Sequence, residues 1–126
     1  MHPEMVDAIA RVRPTFSVNA LAQRAALGAL ANQTFLQSAQ RLNRAGIVQI
    51  TRTLERHCIE WIPTHANFIA IRLSDARAVA QRLLQAGVVV RPLGAYALDD
   101  FIRVSIGTED ENAAFLQALL NAVEPA

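Results

Sequence analysis

Apolar residues recur at helical spacing up to about Cys58, and fall into short strand-like runs separated by turns after it. The opening stretch "MHPEMVDAIARVRP" allows a short helix that Pro14 stops. A helix is predicted from about Val18 to Ala31, with Ser17 or Asn19 as its cap and an alanine-rich face suited to a close neighbour. Asn32 is placed to cap a longer helix from about Thr34 to Cys58. Its stripe is Phe35, Ala39, Leu42, Gly46/Ile47, Ile50 and Leu54, with Arg41, Arg44, Arg52 and Glu55 outside it. Gly46 costs that helix about 1 kcal/mol of propensity, which marks it as a point of close contact.

Beyond Cys58 the expected order is strand, strand, helix, strand, strand, helix. "IEWI" (59–62) and "NFIAIRL" (67–73) are the first two strands, joined by the turn "PTHA". Ser74 or Asp75 starts a helix through Ala86, with Val79, Leu83 and Ala86 on one side and Gly87 as its left-handed stop. "VVVR" (88–91) is the third strand, Pro92 to Asp100 a loop, and "FIRVSI" (101–106) the fourth strand. In the last helix Thr108 and Glu111 make a capping box, and Phe115, Leu116, Leu119 and Val123 face inward. The fold class is therefore α+β: a small sheet of about four strands, covered on one face by helices and preceded by two helices. Within "FIRVSI" the apolar Ile102, Val104 and Ile106 share one face, which the helices take. Phe101, Arg103 and Ser105 share the other.

At 126 residues the chain has room for one domain with a real core, and 52% hydrophobic residues argue against disorder. No apolar run approaches the roughly 20 residues that would cross a bilayer. The start has no basic-then-apolar signal pattern, so a cytoplasmic protein with no membrane partner is expected. A net charge of +1 without a basic block argues against nucleic acid. Cys58 is the only cysteine, so an internal disulfide is excluded. His2, His57 and His65 lack metal-ligand spacing and read as surface or structural; no metal site is expected. Trp61 reads as core, and Cys58 as an inert small hydrophobe. All 12 Lys+Arg residues are arginine. With no lysine, this chain has no side-chain amine for covalent chemistry on a carbonyl cofactor, and no catalytic residue is assigned to it.

Two arginines stand in apolar strands, Arg91 closing "VVVR" and Arg103 inside "FIRVSI". A half-buried guanidinium is costly unless an anion meets it. Arg103 reads two ways. It is either an edge-strand arginine bonded to Asp99 or Asp100, or a fixed planar fork for a ligand carboxylate. Arg91, before a proline, reads either as solvated or as a second anion contact. Tyr96, in the loop between them, either lines such a site or is an exposed loop aromatic.

Four stretches, "RVRPTFSVNALAQRAALGAL", "ANFIAIRL", "GVVVRPL" and "FIRVSIGTEDENAAFLQAL", together resemble the C-terminal part of histidinol-phosphate aminotransferases. These are pyridoxal-phosphate enzymes of the aspartate-aminotransferase fold. "FSVNALAQ" is shared with threonine-phosphate decarboxylases and aromatic amino-acid aminotransferases, which stay open as alternatives, as does a stand-alone non-catalytic binding module. The resemblance implies one small domain over 1–126, with 1–32 an interdomain segment and helix and 33–126 the small domain proper. It implies Arg103 as the contact for the substrate α-carboxylate and Arg91 as a contact for the phosphate. Phe16 and Asn19 fall where the family chain passes between domains, with no role assigned. The implied reaction converts histidinol phosphate and 2-oxoglutarate to imidazole acetol phosphate and glutamate. The implied partners are a small amino or oxo acid, an N-terminal large domain and a second subunit. That large domain carries the cofactor lysine, so this chain alone is expected to be inactive and to bind no pyridoxal phosphate covalently.

Overall fold

The computed structural model describes residues 2–13 and 18–123. Pro14, Phe16 and Ser17, singled out above, lie outside the described residues. The chain divides into two compact units, Met1–Ser38 and Ala39–Ala126.

The first unit holds helices α1 (Pro3–Val12) and α2 (Ala20–Ala31) and the first turns of α3 (Gln33–Arg56). Asn19 caps α2, its side-chain oxygen accepting from the Ala22 N–H at 2.8 Å, and Asn32 caps α3 through the Phe35 N–H at 3.0 Å. Both use the same device, a short polar side chain reaching an otherwise unpaired donor of the first turn. Neither α1 nor α2 contains a buried residue, and the expected stripe of α3 is exposed at Phe35, Ala39 and Leu42.

From Gly46 onward the stripe of α3 is buried, with Ile50 and Leu54 fully so. The helix stops at Arg56 rather than Cys58, because Cys58 turns left-handed at φ 53°. The Ile59 N–H then returns to the Leu54 carbonyl and the Cys58 N–H to that of Glu55, a paired closure that satisfies two terminal carbonyls. Cys58 is exposed.

Four strands follow: β1 (Trp61–Ile62), β2 (Phe68–Arg72), β3 (Arg91–Leu93) and β4 (Leu98–Ser105), with α4 (Ala76–Gln85) between β2 and β3 and α5 (Glu109–Val123) last. The sheet is antiparallel throughout, in the order β1-β2-β4-β3. Helices α3, α4 and α5 cover one face. There Ile69, Ile71, Ile102 and Val104 of the sheet meet Ile50, Leu54, Val79, Leu83, Phe115, Leu116 and Leu119. Burial of each large aliphatic side chain is worth about 1.5–3 kcal/mol, so this layer carries the stability of the unit. Trp61 packs half-buried on the same core.

The structure corrects the third strand. "VVVR" was expected to pair from Val88, but Gly87 is left-handed at φ 81° and the Val88 N–H closes α4 on the Leu83 carbonyl at 2.8 Å. The chain enters the sheet only at Arg91, so β3 reads Arg-Pro-Leu. Pro92 is tolerated because β3 is an edge strand. The expected loop from Pro92 to Asp100 is instead strand, a single 3₁₀ turn over Gly94–Tyr96, and the first residues of β4. Ala86, expected on the inner side of α4, is exposed; Ala76 takes its place in the core.

Two local contacts hold the end of β4. A Cβ on Gly46 would run into the Ile106 Cγ2 methyl and lie 2.8 Å from Asn112 Nδ2, so α3 approaches the turn after β4 only because position 46 has no side chain. Asn112, almost fully buried, accepts from the Gly107 N–H at 2.9 Å and donates to the Gly107 carbonyl and Gln49 Oε1 at 3.1 Å each. The capping box forms as expected, the Thr108 N–H and hydroxyl both donating to Glu111 Oε2 at 2.8 and 2.9 Å. Those two bonds, the backbone one foremost, hold the Glu111 carboxyl below the usual carboxylate range.

Candidate functional site

The face of the sheet opposite α3, α4 and α5 carries Phe68, Ala70 and Arg72 from β2, Phe101, Arg103 and Ser105 from β4, and Arg91 from β3. Each alternates with a core residue, so one face is apolar and covered while the other presents cations and rings. Register brings the two arginines together: Arg91 and Arg103 are direct partners across β3 and β4. Opposite residues of an antiparallel pair have Cβ atoms about 4.5–5.5 Å apart on the same face, and like charges there are destabilising.

Neither arginine is neutralised by a carboxylate of the described residues. Among those residues no carboxylate forms an ion pair with Arg91 or Arg103, whereas Glu60 and Asp100 lie 3.0 and 3.8 Å from Arg72 on the same sheet face. Asp100, one of two residues considered as a structural partner for Arg103, thus serves Arg72, and Asp99 forms no ion pair with Arg103. What meets the two guanidinium groups instead is aromatic. Arg103 Cζ lies over the Phe68 ring, 5.1 Å from its centroid. Arg91 Cζ lies 5.4 Å from the Tyr96 centroid, and Arg91 Nη2 donates to the Tyr96 hydroxyl at 2.9 Å. Rings hold a cation in place without cancelling its charge. The arrangement is a pair of ring-held guanidinium forks with no carboxylate partner among the described residues, suited to a small ligand with anionic groups.

All three predicted site residues, Arg91, Tyr96 and Arg103, therefore sit in one cluster. Phe68 escaped the sequence reading. The alternation that separated Arg103 from Ile102 and Val104 applies equally to "NFIAIRL" and puts Phe68 on the arginine face. Among the described residues no group of three or more His, Cys, Asp or Glu is placed to hold a metal. No helix of the described residues is long and apolar enough to cross a membrane.

Comparison with known proteins agrees with this architecture. Residues 1–119 match the family described as Aminotransferase class I and II. The chain is 48% identical over 120 residues to histidinol-phosphate aminotransferase 1 of Dechloromonas aromatica, covering 95% of this chain and 33% of the relative. It is 44% identical over 117 residues to the histidinol-phosphate aminotransferase of Methylobacillus flagellatus, covering 93% and 32%. The chain thus spans about a third of the length of the curated relatives it matches. Among solved structures, a tetra mutant of the Thermus thermophilus aspartate aminotransferase superposes with a TM-score of 0.73 at 27% identity, over 94% of this chain and 36% of that one. The histidinol-phosphate aminotransferase of Clostridium acetobutylicum shares the fold with a TM-score of 0.78 at 23% identity, over 94% and 37%.

Proposed function

This chain belongs to the class I and II aminotransferase family, and from that premise we propose that it is the substrate-clamping C-terminal portion of a pyridoxal-phosphate-dependent histidinol-phosphate aminotransferase. The observation that carries the reading is the register pairing of Arg91 with Arg103 on the sheet face opposite α3, α4 and α5, with no carboxylate beside either among the described residues. A fold does not keep two like charges side by side for stability; a ligand bearing carboxylate or phosphate converts that repulsion into binding. The relatives at 48% and 44% identity support the choice of substrate over the decarboxylase and aromatic-acid alternatives.

In this reading Arg103 takes the α-carboxylate of the amino or oxo acid and Arg91 the phosphate of histidinol phosphate, with Tyr96 steadying Arg91. Two forks at fixed spacing remove the rotational freedom of a small substrate, which lowers the barrier by positioning rather than by bond making. The residues present do not fit a covalent hold on pyridoxal phosphate, since every basic side chain of the 126 is an arginine or a histidine. The amine that carries the chemistry belongs, in this reading, to an N-terminal large domain of a cytoplasmic homodimer.

The test is a chimera in which residues 1–126 replace the matching segment of the Dechloromonas aromatica relative. It is expected to transaminate histidinol phosphate with 2-oxoglutarate. Arg103→Gln is expected to lower kcat/KM for the oxo acid by about 30-fold or more, the loss of one partner of a desolvated charge pair worth about 2–5 kcal/mol. Arg91→Gln should act more on histidinol phosphate than on 2-oxoglutarate. An Arg103→Gln chimera as active as the parent would end the proposal.

A further inference from the structure

We propose that Phe68 is a positioning residue: its ring holds the Arg103 guanidinium in the orientation that presents all of its N–H donors outward. The inference deepens the carboxylate role given to Arg103 above and rests on it. Among the described residues the Arg103 guanidinium makes no hydrogen bond and no ion pair; the contact that meets it is the π face of the Phe68 ring, whose centroid lies 5.1 Å from Cζ. The strand pairing explains how the two meet. Phe68 is the register partner of Ser105, which makes it the diagonal neighbour of Arg103, within reach of an aromatic and a long side chain. The residue directly opposite Arg103 is Ala70, whose methyl group leaves the space for that diagonal contact.

The chemistry of the two arginine contacts differs. Arg91 spends a donor on the Tyr96 hydroxyl. Arg103 is held through the π face of a ring, which attracts the cation but accepts none of its in-plane N–H groups in a directional bond. A guanidinium with no anchor loses much rotamer entropy when it clamps an anion; one already resting on a ring has lost part of it in advance. Phe68 is 39% exposed, too open for a residue placed there for the core, which lies on the opposite face of β2.

The experiment follows the Arg103 Nε–Hε signal in the full 126-residue chain, labelled with nitrogen-15, and in Phe68→Leu and Phe68→Tyr. In the parent chain the Arg103 Hε is expected to be shifted upfield by the ring current, with restricted Nε motion. Both features should vanish in Phe68→Leu and return in Phe68→Tyr. Titration with 2-oxoglutarate, read on the same signal, should be weaker by roughly three- to tenfold in Phe68→Leu and close to the parent in Phe68→Tyr. Phe68→Met supplies a second ring-free side chain should the leucine variant fail to fold. Unchanged Arg103 mobility in a folded ring-free variant, or no recovery in Phe68→Tyr, overturns the proposal. A parent chain whose Arg103 ignores 2-oxoglutarate counts against the carboxylate role alone, because the mobility comparison decides the positioning role without it.

Discussion

At the scale of single residues, the site is defined by what its charges lack. Arg72, Arg91 and Arg103 share one sheet face, yet among the described residues only Arg72 of the three meets carboxylates, from Glu60 and Asp100. The repulsion between Arg91 and Arg103 is measurable in the chain itself. A double-mutant cycle with Arg91→Gln and Arg103→Gln, read by urea denaturation, is expected to give an unfavourable coupling of about 0.2–1 kcal/mol that shrinks as salt is added. A favourable coupling would mean that the two groups are not adjacent. The existence of two strand arginines and an intervening tyrosine was legible in the chain. Their adjacency was not: the expected strand at 88–91 had the right last residue, but the loop assigned to Pro92–Asp100 hid a bulged hairpin that sets Arg91 opposite Arg103. A one-residue change of register would have sent one of them to the other face.

At the scale of elements, caps and close contacts explain why β4 ends where it does. Gly46 gives up helix propensity to let α3 approach Ile106 and Asn112. Gly46→Ala would gain up to about 1 kcal/mol of propensity but crowds a buried, fully bonded asparagine, so a net loss of about 1–3 kcal/mol is expected in urea denaturation. Glu111 supplies a pH-dependent contribution. Its carboxyl titrates lower in the folded chain than when unfolded, because the Thr108 N–H and then the Thr108 hydroxyl bond the ionised form. The stabilisation is complete above the ordinary carboxylate range and is lost as pH falls through the lowered value. The stability difference between the parent and Glu111→Gln should therefore be present at neutral pH and close in acid; a gap that persists in acid would exclude the capping carboxylate as its source. The Thr108–Glu111 cap was readable in advance because it joins residues three apart, whereas Gly46 was marked only by its poor helix propensity, its partners Ile106 and Asn112 lying far along the chain. The left-handed Cys58 was missed because a cysteine carries no signal for that conformation, which the returning Ile59 N–H imposes.

At the scale of the whole molecule, the 126 residues carry twelve arginines and no side-chain amine. Incubation with pyridoxal phosphate followed by borohydride is expected to leave the mass of every internal peptide unchanged, with any adduct confined to the terminal amine. An internal adduct would contradict the division of labour proposed here. What the sequence alone determined was composition and local periodicity: the absence of lysine, the caps, the alternation that isolates Arg103 from the core, and the α+β class. These are properties of a residue and its near neighbours, set by backbone sterics and side-chain chemistry. Only the tertiary structure decided which strands pair, that Arg91 faces Arg103, and that Phe68 and Tyr96 receive their guanidinium groups. Those contacts join strands that α4 and the Gly94–Tyr96 turn bring together, and their register follows from how the whole apolar face packs beneath them.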